Sequence, residues 1–160
     1  MTAPVPADDR RWVAFVRGAD RTGTLTALAG VFSTRGVSFD SIATSDVDAG
    51  VGMIVVTFTA SERRMRLLIR TVGRLSAVRS VTVHPVDDPA VRAAAVVVLP
   101  ETVTDFAPPA DASVRWSGDP AAGQPVLVEG PLPDVERVVA DARSRGAAAV
   151  ATAVLPPVAG

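Results

Sequence analysis

The sequence predicts an α+β protein built from two small sheet-and-helix units in tandem, and three observations predict it. Apolar runs of strand length alternate with segments whose apolar residues recur at helical spacing. The order β-α-β-β-α-β fills the first half and returns, one helix short, in the second. Between the two series lies "DDPAV" (87–91), a polar stretch with a proline. A chain of 160 residues is long enough for one generous domain or two small ones.

Residues 1–10 are polar and Pro-rich and read as a loose arm. "WVAFV" (12–16) is a strand with both faces covered. After "ADRTG", Leu25, Leu28, Ala29 and Phe32 fall on one helical stripe, and Gly36 stands where a left-handed cap ends a helix. "VSFDSIATS" and "VGMIVVTFTA" read as two strands turned by "DVDAG" (46–50). Ser61 N-caps a second helix with Glu62 in its first turn, and Met65, Leu68, Ile69, Val72 and Leu75 keep helical spacing. "VRSVTVHPV" (78–86) completes the ferredoxin-like order of residues 11–86, an antiparallel sheet with both helices on one face.

Residues 87–92 form the linker, and 93–160 read as a second, trimmed ferredoxin-like α/β unit. Its strands are "AAAVVVLP" (93–100), "SVRWSG" (113–118), "PVLVEG" (125–130) and "AAAVATAVL" (147–155). Val135, Val138, Val139 and Ala142 mark its one helix, with Gly146 at its end. The first helix is missing: "ETVTDFAPPADA" occupies its place, and Pro108-Pro109 will not continue a helix. Phe15, Phe32 and Phe58 are assigned to the core, and Trp116 to core or interface.

Composition removes several classes of function. Zero cysteines exclude disulfides, thiolate metal sites and a Cys nucleophile, and one histidine, His84, leaves little for a metal centre or a catalytic triad. His84 reads as a strand-end residue; Asp46, Asp48, Asp87 and Asp88 lie in turns without the further oxygens a calcium loop needs. A net charge of −1 argues against nucleic acid. The N-terminus has no secretion pattern and no apolar run spans a bilayer, so the expectation is a cytoplasmic protein with no membrane partner. All sixteen basic residues are Arg, with Tyr and Asn also absent, the habit of a GC-rich bacterial genome. "GVGMIV" (50–55) lacks a third Gly and leads into a strand, so it is no dinucleotide site. Arg63, Arg64, Arg66, Arg70 and Arg74 make one helix face basic, which reads either as a solvated face or as a docking face for an acidic partner.

The stretch "ADRTG" before the first helix allows two readings. A helix N-terminus has N–H groups without internal partners and a dipole that favours negative charge, and Gly23 lets a ligand approach the backbone. It therefore suits a small carboxylate. Equally, Gly23 relieves a tight turn, with Asp20 or Thr22 capping the helix.

Residues 11–86 resemble an ACT domain, specifically that of the acetolactate synthase small (regulatory) subunit. The resemblance rests on "DRTG", "LAGVFSTRGVSFDSI", "MIVVTF" and "GRLSAVRSV". The second half resembles the C-terminal ferredoxin-like domain of those subunits through "VRAAAVVVLP" and "VLVEGPLPDVERVVADARSRG". What the resemblance implies is an amino-acid effector held between two ACT domains. Backbone groups of the Gly turn would hold its carboxylate, and the start of the second strand would complete the pocket. By position the implied residues are Asp20, Thr22, Gly23, Thr24, Leu25, Ser38 and Phe39. The family commonly carries Asn where this chain has Asp20 and Ser38, and Arg where it has Gly52.

The implied role is that of a non-catalytic regulatory subunit, homodimeric through its ACT domains. It would bind and modulate a large catalytic subunit of acetolactate synthase type, with feedback by valine, leucine or isoleucine. Thiamine diphosphate is expected in that partner, and no cofactor in this chain. The alternative is a free-standing ACT-domain amino-acid sensor without a catalytic partner. A small enzyme is disfavoured, because no nucleophile with a nearby base is evident.

Overall fold

The computed structural model describes residues 8–19, 23–48 and 51–158, with backbone alone for 45–48. The chain divides into two compact units, Met1–Val86 and Asp87–Gly160.

In the first unit β1 (Asp9–Ala19), α1 (Thr24–Thr34), β2 (Phe39–Asp48), β3 (Val51–Ser61), α2 (Glu62–Val72) and β4 (Val78–Pro85) follow in that order. The antiparallel sheet is ordered β2-β3-β1-β4. β1 starts at Asp9, paired with Ser61, so the end of the segment read as a loose arm is strand. Period-2 alternation sends Trp12, Ala14 and Val16 of β1, with Ile54, Val56, Phe58 and Ala60 of β3, into one core with Leu28, Phe32, Met65, Leu68 and Val72 of the two helices. Phe32 packs edge-on against Phe58 with centroids 5.2 Å apart, and Trp12 satisfies its indole N–H on the Ala60 carbonyl at 2.9 Å. Val13 and Phe15 point the other way and are buried too, so both faces of β1 are out of solvent.

The helix ends follow local rules. Arg35 caps α1, Gly36 takes φ 65°, and the N–H groups of Gly36 and Val37 close back on the Ser33 and Phe32 carbonyls, a Schellman motif. Ser61 accepts from the Arg64 N–H at 3.4 Å at the start of α2. Two stripe positions differ from expectation. Leu25 is 44% exposed while Thr24 turns inward. Leu75 lies beyond α2, which stops at Val72 because Gly73 caps it.

The second unit comprises β5 (Arg92–Val98), β6 (Arg115–Ser117), a one-turn 3-10 helix (Pro120–Ala122), β7 (Val126–Pro131), α3 (Leu132–Ser144) and β8 (Ala149–Leu155). Its antiparallel sheet is ordered β6-β7-β5-β8, the same pattern as in the first unit with the first helix left out. Val135, Val138, Val139 and Ala142 of α3 are buried together with Ala93, Ala95, Val97, Val126 and Val128. Residues 99–114 form no helix; instead Phe106 is buried to 2% exposure and carries the Arg145 guanidinium 5.4 Å from its ring centroid. Asp111 pairs with Arg137 at 2.8 Å, and the Ser113 N–H donates to Asp134 at 3.1 Å, tying this segment to α3. β6 is only three residues long, and Trp116 on it is 45% exposed, so the core assignment of Trp116 is corrected.

Candidate functional site

The end of β1, the start of α1 and the turn between α2 and β4 meet around an open cavity of about 430 Å³. Ala19, Gly23, Thr24, Ala27, Leu75, Ser76 and Ala77 line it. The sequence builds this corner through close backbone contacts. The Ala19 N–H donates to the Ala77 carbonyl at 3.0 Å, and at Gly18 a Cβ would stand 2.4 Å from that same oxygen. Only glycine lets the strand pass so near the turn.

Gly23 has φ 113° and ψ −23° and begins α1 without a side-chain cap, its carbonyl taking the Ala27 N–H at 2.8 Å. Nothing lies within 4 Å of where its Cβ would be, so the glycine answers to backbone conformation and not to crowding. The amides of Thr24, Leu25 and Thr26 have no carbonyl one turn earlier in the helix to accept them, and the helix dipole adds partial positive charge here. Thr24 is buried and spends its hydroxyl on the Ala19 carbonyl at 3.3 Å, a brace for the corner. Chemically, the corner offers amide donors, a small-residue lining and, at Leu25, an exposed apolar side chain. It suits a small carboxylate with an aliphatic body.

Within one chain the seven implied residues do not form one cluster. Gly23 and Thr24 line the cavity, Leu25 is adjacent on the surface, and Asp20 and Thr22 lie outside the described residues. Ser38 and Phe39 are at the far end of the sheet. Phe39 is opposite Phe58, which pairs with Trp12, whereas the cavity is at Ala19. The seven steps from Trp12 to Ala19 span about 23 Å at roughly 3.3 Å each. Ser38 is exposed, and the Phe39 ring packs 4.5 Å from that of Phe32. Leu75, Ser76 and Ala77 escaped the sequence reading because their contribution comes from a turn some fifty residues away, a contact only the β1–β4 pairing creates.

His84 sits in β4 with its ring 6.2 Å from that of Phe15. Asp88 accepts the Ala90 N–H at 2.9 Å within its own turn. No group of three potential metal ligands exists among the described residues, and none of their helices is long and apolar enough to cross a membrane. On α2, Arg63, Arg66 and Arg70 flank Leu67, which is 39% exposed, and Arg66 pairs with Glu62 one turn before it.

No protein-family model matches the chain, and no curated protein matches it. Among solved structures it is similar to the acetolactate synthase small subunit from Thermotoga maritima. The TM-score is 0.63 at 14% identity, over 92% of this chain and 97% of that one. The regulatory subunit of aspartate kinase from Thermus thermophilus, in ligand-free form, gives a TM-score of 0.49 at 12% identity over 91% and 99% of the two chains, and adds no weight. The likeness to the Thermotoga maritima protein runs through both units, and the chain has the α+β, ferredoxin-like ACT-type fold of that small subunit.

Proposed function

We propose that the chain is a non-catalytic regulatory subunit that binds a branched-chain amino acid and modulates a thiamine-diphosphate-dependent catalytic subunit of acetolactate synthase type. The observation that carries the proposal is the likeness to a small subunit of that enzyme over nearly the whole of both chains. The cavity beside Gly23 supports it, since its amides and apolar edge suit an aliphatic amino acid.

The separation of Ser38 and Phe39 from Gly23 favours a site shared between two copies. β2 is an edge strand whose pairing with β3 is regular from Ser41 to Asp46 and shifts only near its ends. Residues 41–45, Ser-Ile-Ala-Thr-Ser, carry no charge, so a second β2 can add to this edge. An antiparallel addition reverses the strand and brings the Ser38–Phe39 end of one copy toward the Asp48 end of the other. Because Asp48 and Ala19 both pair with Val51, that end adjoins the cavity. Asp20, Thr22, Gly23, Thr24 and Leu25 of one copy with Ser38 and Phe39 of the other then form the effector pocket. The effector binds one arrangement of the pair more tightly and so biases the enzyme, a coupling of about 1–3 kcal/mol in typical cases. The face of α2 with Leu67 and its arginines and the exposed Trp116 are the surfaces offered to the large subunit.

The missing helix of the second unit favours an alternative, a free-standing amino-acid sensor. Co-expression with the thiamine-diphosphate enzyme encoded nearest to it separates the two. A stable complex whose synthase activity rises with this chain supports the subunit. An amino-acid-binding chain that never retains such an enzyme supports the sensor.

A further inference from the structure

Four strands among the described residues stand at sheet edges: β2, β4, β6 and β8. An exposed edge offers unpaired N–H and C=O groups to any other strand, and proteins blunt it with charges, prolines, bulges or brevity. Three of these edges carry at least one such device. β2 carries Asp40, Asp46 and Asp48 with register shifts near both ends, which confines any strand addition there to the uncharged run 41–45 used in the pairing proposed above. β4 carries Arg79 and ends in Pro85, and β6 is three residues long and includes Arg115. β8 has none of these devices. Its seven residues, Ala-Val-Ala-Thr-Ala-Val-Leu, hold no charge and no proline, pair with β5 without a register shift, and are exposed at Ala149, Ala151, Thr152, Ala153 and Leu155.

β8 is also nearly a palindrome. About Thr152, Ala151 mirrors Ala153 and Val150 mirrors Val154, and only Ala149 and Leu155 differ. Two antiparallel copies related by a two-fold axis through Thr152 place like against like. Val150 meets Val154 on the face that carries α3, Ala151 meets Ala153 on the open face, and Thr152 meets Thr152, a favourable cross-strand pair. Pro156 and Pro157 follow directly, so the strand ends where that register runs out. Leu155 then lies beside the small Ala149 of the other copy, in the row that continues to Val98. Both Leu155 and Val98 are large apolar residues left exposed, at 47% and 42%.

From this we infer that β8 is a self-association edge: a second copy of this chain pairs with it antiparallel about Thr152, joining two C-terminal sheets into one of eight strands. The inference does not rest on the regulatory reading above.

The chain has no cysteine, so a single engineered one reports the contact directly. In a two-fold antiparallel pair the opposed Cα atoms are about 4.5–5.5 Å apart, within the roughly 4.4–6.8 Å that a disulfide spans. Thr152→Cys under mild oxidation is expected to give a disulfide-linked dimer as the major species, while Glu101→Cys, in an exposed turn, stays largely uncrosslinked. A second experiment uses like charges opposed at the axis. Thr152→Lys and Thr152→Glu, each alone, should lower the assembly seen by sedimentation, and an equal mixture should restore it. If Thr152→Cys crosslinks no faster than Glu101→Cys, or if the mixture assembles no better than either variant alone, the inference is overturned.

Discussion

At Gly23 a φ of 113° coincides with empty space around the missing Cβ, so conformation and crowding separate cleanly. Gly23→Ala should fold and lose stability by about 1–3 kcal/mol from strain alone, measured by urea denaturation. Gly23→Asp adds a negative charge at the helix mouth and should abolish any effect of a branched-chain amino acid on melting. A ligand effect that survives Gly23→Asp places the ligand elsewhere. Gly18 poses the opposite problem, a Cβ 2.4 Å from a backbone oxygen, so Gly18→Ala should distort the corner itself. At the open face of the second sheet, the hydrogen bond from Arg92 holds the Glu129 carboxyl below its ordinary range, with the nearby charges of Arg92 and Arg115 adding to it and partial burial opposing it. A depressed folded-state value means that the contribution is present above the ordinary carboxylate range and is lost as pH falls through the folded value. Glu129→Gln should flatten the acid side of the stability profile, with a small effect because both partners are about 40% exposed.

Among the elements, the segment 99–114 does with a loop what a helix does in the first unit. Phe106 supplies the buried side chain and Asp111 and Ser113 tie the segment to α3. Phe106→Ala should cost about 3–5 kcal/mol, read by chemical denaturation, whereas a cost below about 1 kcal/mol would mean that the loop is ornamental. The missing helix was legible in the sequence because Pro108-Pro109 cannot continue one, but Phe106 was not, since a lone aromatic between prolines has no periodic partner. The strands and helices were legible for the opposite reason. Each has a repeating stripe, as in Met65, Leu68 and Val72, and two of the three described α-helices have a chemical stop, Gly36 and Gly146. Leu25 and Leu75 misled where stripes meet helix ends, since periodicity cannot say which end position turns outward. Half of the candidate site was legible as a local turn. The side from Leu75 to Ala77 was not, because long-range pairing leaves no mark on a short window of sequence.

For the whole molecule, the proposed regulation needs two kinds of contact between copies or partners: an edge of the first sheet that would complete an effector pocket, and surfaces on α2 and β6 that would meet a larger enzyme. Both make stability depend on what is bound, by mass action. Edge pairing further predicts that dilution weakens the amino-acid effect, because a pocket divided between two copies falls apart with the pair. The most direct test is the melting temperature of the purified chain against increasing valine, leucine and isoleucine. At a hundredfold excess over Kd, binding adds about 2.7 kcal/mol, which is roughly 5–10 °C for a chain of this size. The account predicts a saturable rise of that order with at least one of the three and none with Gly23→Asp. A melting temperature indifferent to all three at millimolar concentration would contradict it.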